Sequence, residues 1–177
     1  AYHHVWLALG RNQFAHHYRP QSATGRVRSI VCELLIGWQQ LAKPLVMPLQ
    51  FMPLADETGL IVPIGAWALN SACAQSRIMR ISGISGMRIA VNVSARQLRH
   101  ANLLQDVARA LEENDLDPSA LELEITESMV MESPEQAVTL LKKLKEMGIH
   151  LSIDDFGTGF SSLSYLKRLP VDSVKID

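Results

Sequence analysis

The chain has 177 residues, of which 47% are apolar and 20% are charged, and its formal net charge is -1 at pH 7. These values are typical of one globular domain, and the near-zero charge argues against electrostatic attraction to DNA or to a membrane surface. No apolar run reaches the ~18 residues of a membrane span, and the lone pair of cysteines, Cys32 and Cys73, without metal-ligand spacing, favours reduced thiols and a cytoplasmic location.

Short runs of alternating apolar residues are separated by helical patterns, which is the signature of an α/β fold. Strands are predicted at residues 13–19, 29–35, 88–93, 121–125, 150–153 and 172–176. Helices are predicted at residues 48–57, 63–79, 102–113, 134–147 and 161–168. Six strands with intervening helices fit either an open parallel sheet or most of a β/α barrel, whose complete form has eight strands and about 250 residues.

The helix predicted at 134–147 has the clearest boundary signals. Ser133 is placed to cap its start, Pro134 suits the first turn, and Gln136 completes a capping box. Gly148 is expected to end the helix. Its apolar residues form one stripe, so the helix is expected to pack against the sheet.

Five of the predicted strands place a polar side chain on the face opposite their apolar residues. These side chains are Glu33, Asn92, Glu124, Asp154 and Lys175. In a barrel that face is the interior, and active sites form at the carboxyl ends of the strands. The five side chains are therefore expected to converge, and their oxygen atoms suit Mg²⁺, Mn²⁺ or Ca²⁺ better than zinc.

Residues 151–159 (LSIDDFGTG) run from an alternating strand into two adjacent carboxylates and a glycine-rich turn. Carboxylates at a packed strand end cost free energy unless they are paired or bind metal. Asp154 and Asp155 together can offer oxygens to two cations, which suggests metal chemistry on a phosphorylated substrate. Taken alone, the stretch fits a helix cap and a turn equally well. Its register with the other four polar strand residues favours a two-metal centre.

Three further polar residues surround this set. Thr126 and Glu127 follow the strand that carries Glu124 and are expected in the adjoining loop. Glu122 lies deeper in the same strand, where it either joins the polar interior or pairs with a basic side chain. The sequence pattern leaves these alternatives open.

Seven segments resemble the EAL-domain cyclic-di-GMP phosphodiesterases, in that family's order and approximate spacing. They are residues 18–21 (YRPQ), 33–35 (ELL), 51–60 (FMPLADETGL), 91–95 (VNVSA), 121–128 (LELEITES), 154–166 (DDFGTGFSSLSYL) and 169–177 (LPVDSVKID). The resemblance covers nearly the whole chain, so residues 1–177 are expected to form a single EAL domain. It implies a TIM-like β/α barrel of EAL type with an antiparallel first strand, here missing about the last two β/α units.

The resemblance also implies an activity and a metal site. The implied reaction is hydrolysis of one phosphodiester bond of cyclic-di-GMP to linear pGpG, with Mg²⁺ or Mn²⁺, in bacterial second-messenger signalling. It implies that Glu33, Asn92, Glu124 and Asp154 ligate a first metal ion. Asp154 is then expected to bridge to a second ion, which Asp155 also ligates.

Further roles come from the same resemblance. Lys175 is expected to orient the attacking water or a phosphate oxygen, and Asp155 to serve catalysis through the second metal. Glu127 is expected to hold the loop at 156–162 in its working geometry, and this loop to couple the site to a homodimer interface. Additional signalling domains are expected in the parent protein.

Substrate contacts are expected from Arg19, Leu35 and Asp177, which lie in the first, second and last matching segments. Two positions depart from the family's pattern. Gly37 stands where the family has an arginine that grips a substrate phosphate, and losing such a charge-assisted contact costs about 1.5–3 kcal/mol of binding. Arg19 stands where the family has glutamine, and it either replaces part of that charge or disturbs the first strand.

The chain ends at Asp177, before the family's segments with the proposed general-base glutamate and a water-positioning glutamine. The domain is therefore expected to be C-terminally incomplete. Two hypotheses follow from these departures. The chain is either a phosphodiesterase domain that is active when complete, or a degenerate EAL domain that senses cyclic-di-GMP or contacts a protein partner without turnover.

Overall fold

A single mixed sheet organises the chain in the computed structural model, which describes residues 7–11, 13–22, 30–39, 44–157 and 167–176. The strand order in the sheet is the order along the chain. The strands are β1 Phe14–Ser22, β2 Ile30–Trp38, β3 Met87–Asn92, β4 Leu121–Thr126, β5 His150–Phe156 and β6 Ser173–Ile176. The predicted α/β class and all six predicted strands are confirmed.

Helices connect the strands from β2 to β5. They are α1 Pro48–Thr58, α2 Ile61–Ile81, α3 Ala95–Leu98, α4 Leu103–Glu113, α5 Glu127–Glu132 and α6 Pro134–Glu146, with a short 3-10 helix at Pro118–Ala120. Four of the predicted helices correspond to α1, α2, α4 and α6. The sequence patterns missed α3 and α5 because each is too short to show a helical period.

The first strand is antiparallel to the second, and every later neighbouring pair is parallel. The prediction of an antiparallel first strand is therefore confirmed. The sheet is curled as well as mixed, because Lys175 on β6 donates a 2.6 Å hydrogen bond to Gln21 on β1. Strands at opposite ends of the strand order thus meet side chain to side chain, as the interior face of a barrel requires.

The apolar face of the sheet lies against the helices. Ile89, Leu123 and Leu151 are fully buried on successive strands, and they pack with Val107 of α4 and Leu141 of α6 in one core cluster. Burying each such side chain contributes about 1.5–3 kcal/mol. This apolar layer packs against the helices, and the opposite, polar face of the strands therefore points into the barrel interior.

A second, smaller core covers the antiparallel strand pair. Phe14 of β1 contacts Phe51 of α1 and Trp67 of α2, with ring centroids 5.8 Å and 5.6 Å apart. Trp38 packs edge-on against Phe51 at 6.2 Å. These aromatic contacts fasten β1 to α1 and α2.

Several element boundaries differ from the predicted ones. β2 runs to Trp38 rather than to residue 35, because its antiparallel ladder with β1 continues to the Phe14–Trp38 pair. Glu33 therefore lies in the middle of β2 and not at its end. β5 likewise extends to Phe156, with a register shift between Ile153 and Phe156 in its pairing with β6.

The predicted capping box at the start of α6 is wrong. Ser133 makes no side-chain capping bond, and its backbone torsions of φ -150° and ψ 74° differ from the extended geometry that presents a cap oxygen to the helix. Ser133 also follows α5 directly, so the chain turns sharply between two helices there. The predicted stop at Gly148 is confirmed, since this residue has φ 92° just beyond the helix.

Three predicted features fall partly or wholly outside the described residues. The helix predicted at 161–168 is described only at its last two positions, and the loop predicted at 156–162 only at Phe156 and Gly157. Asp177 lies outside the described residues as well. Their predicted roles remain predictions.

A real capping box occurs instead at Ser94, at the start of α3. The Ser94 hydroxyl accepts from the Gln97 backbone N–H at 3.2 Å, and the Gln97 side chain accepts from the Ser94 backbone N–H at 3.0 Å. We expect Ser94→Ala to lower the free energy of unfolding by about 1 kcal/mol because this cap is lost. Urea unfolding measures the change.

Ser133→Ala is the matched control, since Ser133 precedes a helix without capping it. Its effect on the free energy of unfolding should stay below about 0.5 kcal/mol. Equal losses in the two variants would contradict the assignment of the cap to Ser94.

Candidate active site

Glu33 is surrounded by donors on the polar face of the sheet. Its Oε2 accepts from Arg19 Nε at 3.1 Å, from Arg19 Nη2 at 2.6 Å and from Gln21 Nε2 at 2.8 Å. Its Oε1 accepts from Asn92 Nδ2 at 2.8 Å. Arg19 and Glu33 are directly opposite each other in the antiparallel ladder, which is why the two side chains meet.

These contacts keep Glu33 ionised although its side chain is only 6% exposed. Burial alone raises the pKa of Glu33, but the hydrogen bonds from Asn92 and Arg19 outweigh burial and hold that pKa below its ordinary value. In turn, the carboxylate of Glu33 raises the pKa of Arg19. Arg19 itself is 63% exposed, so the ion pair joins a buried anion to a cation at the surface.

Glu124 is the most deeply buried carboxylate of the site, with a side-chain exposure of 0%. Lys175 donates a hydrogen bond to its Oε1, whereas its Oε2 is buried and has no hydrogen-bond partner in the part of the chain that the structure describes. Burial raises the pKa of Glu124 to about 7, although Lys175 acts in the opposite direction. A buried oxygen without a donor is costly, so this position favours a cation.

Glu122 has a different environment from Glu124, two residues later on β4. Arg88 Nη1 donates to Glu122 Oε2 at 3.1 Å, and Lys175 Nζ lies 3.8 Å from its Oε1. Of the two alternatives for Glu122, the structure therefore supports the one in which it pairs with basic side chains.

The Asp154–Asp155 step lies where β5 leaves its regular ladder. Asp154 is in register with Thr126, and its Oδ1 accepts from the Asp155 backbone N–H at 3.0 Å. Asp155 has φ 55°, an uncommon left-handed conformation for a residue other than glycine. Beyond it, the Gly157 N–H donates to Glu127 Oε2 at 2.8 Å.

Glu127 is the first residue of α5 and is buried, not part of a loop as predicted. Thr126 causes this difference, because its hydroxyl accepts from the Met129 N–H at 3.4 Å and caps the helix as soon as β4 ends. The cap fixes the first turn of α5, and from there the Glu127 carboxylate accepts the hydrogen bond of Gly157, just after Asp155.

The structure brings most of the predicted residues to one region without joining them in one cluster. Glu33 bonds Asn92, Asn92 is in register with Glu124, and Glu124 bonds Lys175. Across the residues that the structure describes, no group of three or more His, Cys, Asp or Glu side chains gathers closely enough to hold a metal ion. Arg19 and Lys175 offset the carboxylate charges in this arrangement.

Leu35 and Gly37 share the face of β2 that carries Glu33, by strand alternation. Leu35 is half-buried and in register with His17. Gly37 is buried, and a Cβ added there would lie only 2.9 Å from Leu45 Cδ1. Leu45 thus fills the space beside residue 37, and a larger side chain there has no room unless Leu45 moves.

Gln21 is a site residue that sequence reasoning missed. It donates to Glu33 and accepts from Lys175, so it links the two halves of the polar interior. Strand alternation from Arg19 places Gln21 on the same face, and that signal was available in the sequence.

The donor set fits a hard divalent cation by its chemistry. Glu33, Asn92, Glu124 and Asp154 offer carboxylate and amide oxygens, the ligands that Mg²⁺ and Mn²⁺ prefer. The unpartnered Oε2 of Glu124 is the strongest single indication, because a bound cation would satisfy it and lower the raised pKa of that carboxyl. The arrangement can therefore serve metal-assisted chemistry on an anionic substrate.

The family model of the EAL domain matches residues 5–177, and the chain belongs to this family. It is 46% identical over 175 residues to the bifunctional diguanylate cyclase/cyclic di-GMP phosphodiesterase MucR of Pseudomonas aeruginosa, covering 99% of this chain and 26% of MucR. It is 37% identical over 183 residues to the cyclic di-GMP phosphodiesterase PdeR of Escherichia coli K12, covering 99% of this chain and 27% of PdeR.

The solved structure of the PaMucR phosphodiesterase in its c-di-GMP complex has the same fold. Its TM-score is 0.93 with 45% identity, and the match covers 99% of this chain and 71% of that one. The predicted TIM-like barrel of EAL type is therefore confirmed. The chain spans about a quarter of the length of the relatives MucR and PdeR.

Within the described segments, no helix combines the length and the hydrophobicity that a bilayer crossing demands. This agrees with the apolar runs of the sequence, which are interrupted by polar residues and by proline.

The raised pKa of Glu124 predicts a pH effect on stability. In the unfolded chain this carboxyl loses its proton near pH 4.5, and in the folded protein near pH 7. Its contribution to folding is thus fully present below about pH 4.5 and is lost as the pH rises toward 7. Glutamine does not titrate, so only the wild type loses this contribution. The free energy of unfolding of Glu124→Gln, relative to that of the wild type, should therefore rise by about 1–3 kcal/mol as the pH increases from 4.5 to 7.

Urea unfolding in the presence of a metal chelator, at pH values from 4.5 to 7, measures this difference. Glu113→Gln, which removes an exposed carboxylate at the end of α4, is the matched control. A constant difference between Glu124→Gln and the wild type across this range would contradict the assigned pKa.

Proposed function

We propose that this chain is the EAL domain of a cyclic-di-GMP phosphodiesterase that hydrolyses one phosphodiester bond to give linear pGpG. The observation that carries the proposal is the oxygen donor set on neighbouring strands of the interior face. Its members are Glu33, Asn92, Glu124 and Asp154, and Glu124 keeps an unpartnered buried oxygen. The similarity to MucR and PdeR supports the choice of substrate.

In this proposal Glu33, Asn92, Glu124 and Asp154 hold a first Mg²⁺ or Mn²⁺, and Asp154 and Asp155 hold a second. When bound, the ions neutralise the phosphodiester charge, activate a water molecule and stabilise the leaving oxygen. Asn92 contributes a neutral ligand, which limits the negative charge that the carboxylates bring together. Its 2.8 Å bond to Glu33 orients both side chains before any ion arrives.

Lys175 and Glu127 support the proposed reaction without binding the metal. Lys175 is held by Glu124 and Gln21 with its ammonium in the interior, where it can orient a water or a phosphate oxygen. Glu127 fixes the Gly157 backbone and so restrains the turn that carries Asp155. Catalysis benefits from such restraint because misplaced groups lose their effective concentration.

We assign the substrate contacts to three residues. Arg19 offers an exposed guanidinium that suits a phosphate, and Leu35 offers apolar surface on the same face of the sheet. Asp177 is also proposed as a substrate contact, because it lies in the segment 169–177 that resembles the family. A homodimer through the loop at 156–162, further signalling domains in the parent protein and a cytoplasmic location complete the proposal.

A second candidate function follows from Gly37. Glycine at this position offers no charge to a substrate phosphate, and Leu45 lies beside it, so we expect weaker binding and altered alignment of the substrate. The alternative is therefore a degenerate EAL domain that binds cyclic-di-GMP as a sensor, or contacts a protein partner, without turnover.

The proposed reaction predicts metal-dependent conversion of cyclic-di-GMP to pGpG. Asp154→Asn and Glu33→Ala should each lower the rate at least about 100-fold, because each removes a metal ligand. Chromatography of the products with Mg²⁺ or Mn²⁺, and with a chelator, measures the effect in the parent protein. Asp56→Asn, an exposed position on α1, is the control and should keep the wild-type rate.

Calorimetry with cyclic-di-GMP on the same proteins separates the two candidate functions. Tight nucleotide binding without any pGpG formation supports the sensor and excludes the phosphodiesterase. If the wild type neither binds nor cleaves the nucleotide, the phosphodiesterase and the nucleotide sensor are both wrong.

A further inference from the structure

Arg19 holds an unusual position, because it neutralises a residue that the proposed function assigns to the metal. We propose that the Arg19 guanidinium is an internal competitor for Glu33, so that a divalent cation reaches the Oε2 atom of Glu33 only by displacing it. This inference rests on the proposed function, since it takes Glu33 as a metal ligand. It concerns a residue in which this chain departs from the family's glutamine.

Among the described residues, the Oε2 atom of Glu33 accepts more hydrogen bonds than the Oε1 atom. Oε2 accepts three hydrogen bonds, two from Arg19 and one from Gln21, and Oε1 accepts one from Asn92. A carboxylate oxygen has about two lone-pair sites. A metal ion can therefore reach Oε2 only after at least one donor has left.

Arg19 is the donor that leaves most readily. Its side chain is 63% exposed and can move into water, whereas Gln21 is also held by Lys175. Among the described residues, Arg19 is the charged donor to Glu33, whereas Gln21 and Asn92 are neutral. A divalent cation on the same carboxylate would repel it, so metal and guanidinium exclude each other.

Glu124 provides an internal contrast. Lys175 occupies its Oε1 but leaves Oε2 without a partner in the described residues, so an ion can approach Glu124 while the lysine stays in place. Lys175 is also 25% exposed, less than half the value of Arg19. A donor must therefore leave Oε2 at Glu33, whereas at Glu124 no described donor occupies Oε2.

Displacement has a consequence for the order of binding. Once Glu33 takes a metal ion, the Arg19 guanidinium is left without its carboxylate at the edge of the polar interior. It is then available to an anionic group such as a substrate phosphate, on the side of the site where Gly37 supplies no charge. Metal loading thus converts Arg19 from a partner of Glu33 into a phosphate contact, and metal binds before the nucleotide.

Calorimetric titration of the parent protein with Mn²⁺ tests the competition without relying on activity. Arg19→Gln restores the family's residue, keeps a hydrogen-bond donor and removes the competing charge. We expect its dissociation constant for Mn²⁺ to be about three- to tenfold lower than that of the wild type. Arg109→Gln, an exposed position on α4, makes the same charge change away from the site and should leave the constant unchanged.

A nuclear magnetic resonance measurement on the unsubstituted chain complements the titration. The Arg19 Nε–H signal should shift on addition of Mg²⁺, because its bond to Glu33 is broken. Thermal melting of Arg19→Gln checks that the variant is folded.

The outcomes separate the inference from the function on which it rests. Equal Mn²⁺ affinity in the wild type and Arg19→Gln, or a static Arg19 signal while Mg²⁺ binds, overturns the competition and leaves the metal site in place. A lack of Mn²⁺ binding in every variant overturns the metal-dependent function and the competition with it.

Discussion

Burial of negative charge on the inner face of the sheet is the constraint on which the rest of the structure depends. Glu33, Glu122 and Glu124 are all nearly inaccessible, and an isolated buried carboxylate costs several kcal/mol. Each has a basic partner on a different strand: Arg19, Arg88 and Lys175 respectively. The strands are therefore linked by ion pairs on the inside and by apolar packing on the outside. Any change in register would leave at least one buried charge without its partner.

Local patterns predicted the parts of the structure that depend on local chemistry. Alternation with a period of two located all six strands and the polar face that carries Glu33, Asn92 and Glu124. It could not locate the end of β2, because that end is decided by pairing with β1. The Arg19–Glu33 ion pair could not be predicted for the same reason. The two residues are distant in sequence, and the antiparallel pairing of β1 with β2 brings them together. At Ser133 the local capping signal was present, but the turn after α5 imposes another backbone geometry.

The site combines two kinds of charge compensation that differ in how easily they can be undone. Lys175 reaches Glu124 from inside the barrel and is also held by Gln21, so it belongs to the permanent framework. Arg19 reaches Glu33 from the surface, and its side chain is mostly solvated. One side of the site is thus rigid, whereas the other can exchange its cation. In the same region the Leu45 side chain lies in the space beside Gly37, so this part of the site is bordered by apolar surface.

The register shift in β5 has a topological consequence for Asp155. Three steps on β5, from Ile153 to Phe156, are matched by two on β6, from Val174 to Ile176, so one residue is extra. In an unbroken strand, alternation would put Asp155 on the side of Leu151 and Ile153, among the fully buried side chains that face the helices. The extra residue and its left-handed backbone remove Asp155 from that alternation and leave it exposed. Two acidic neighbours can follow one another here because the strand is one residue too long for its partner.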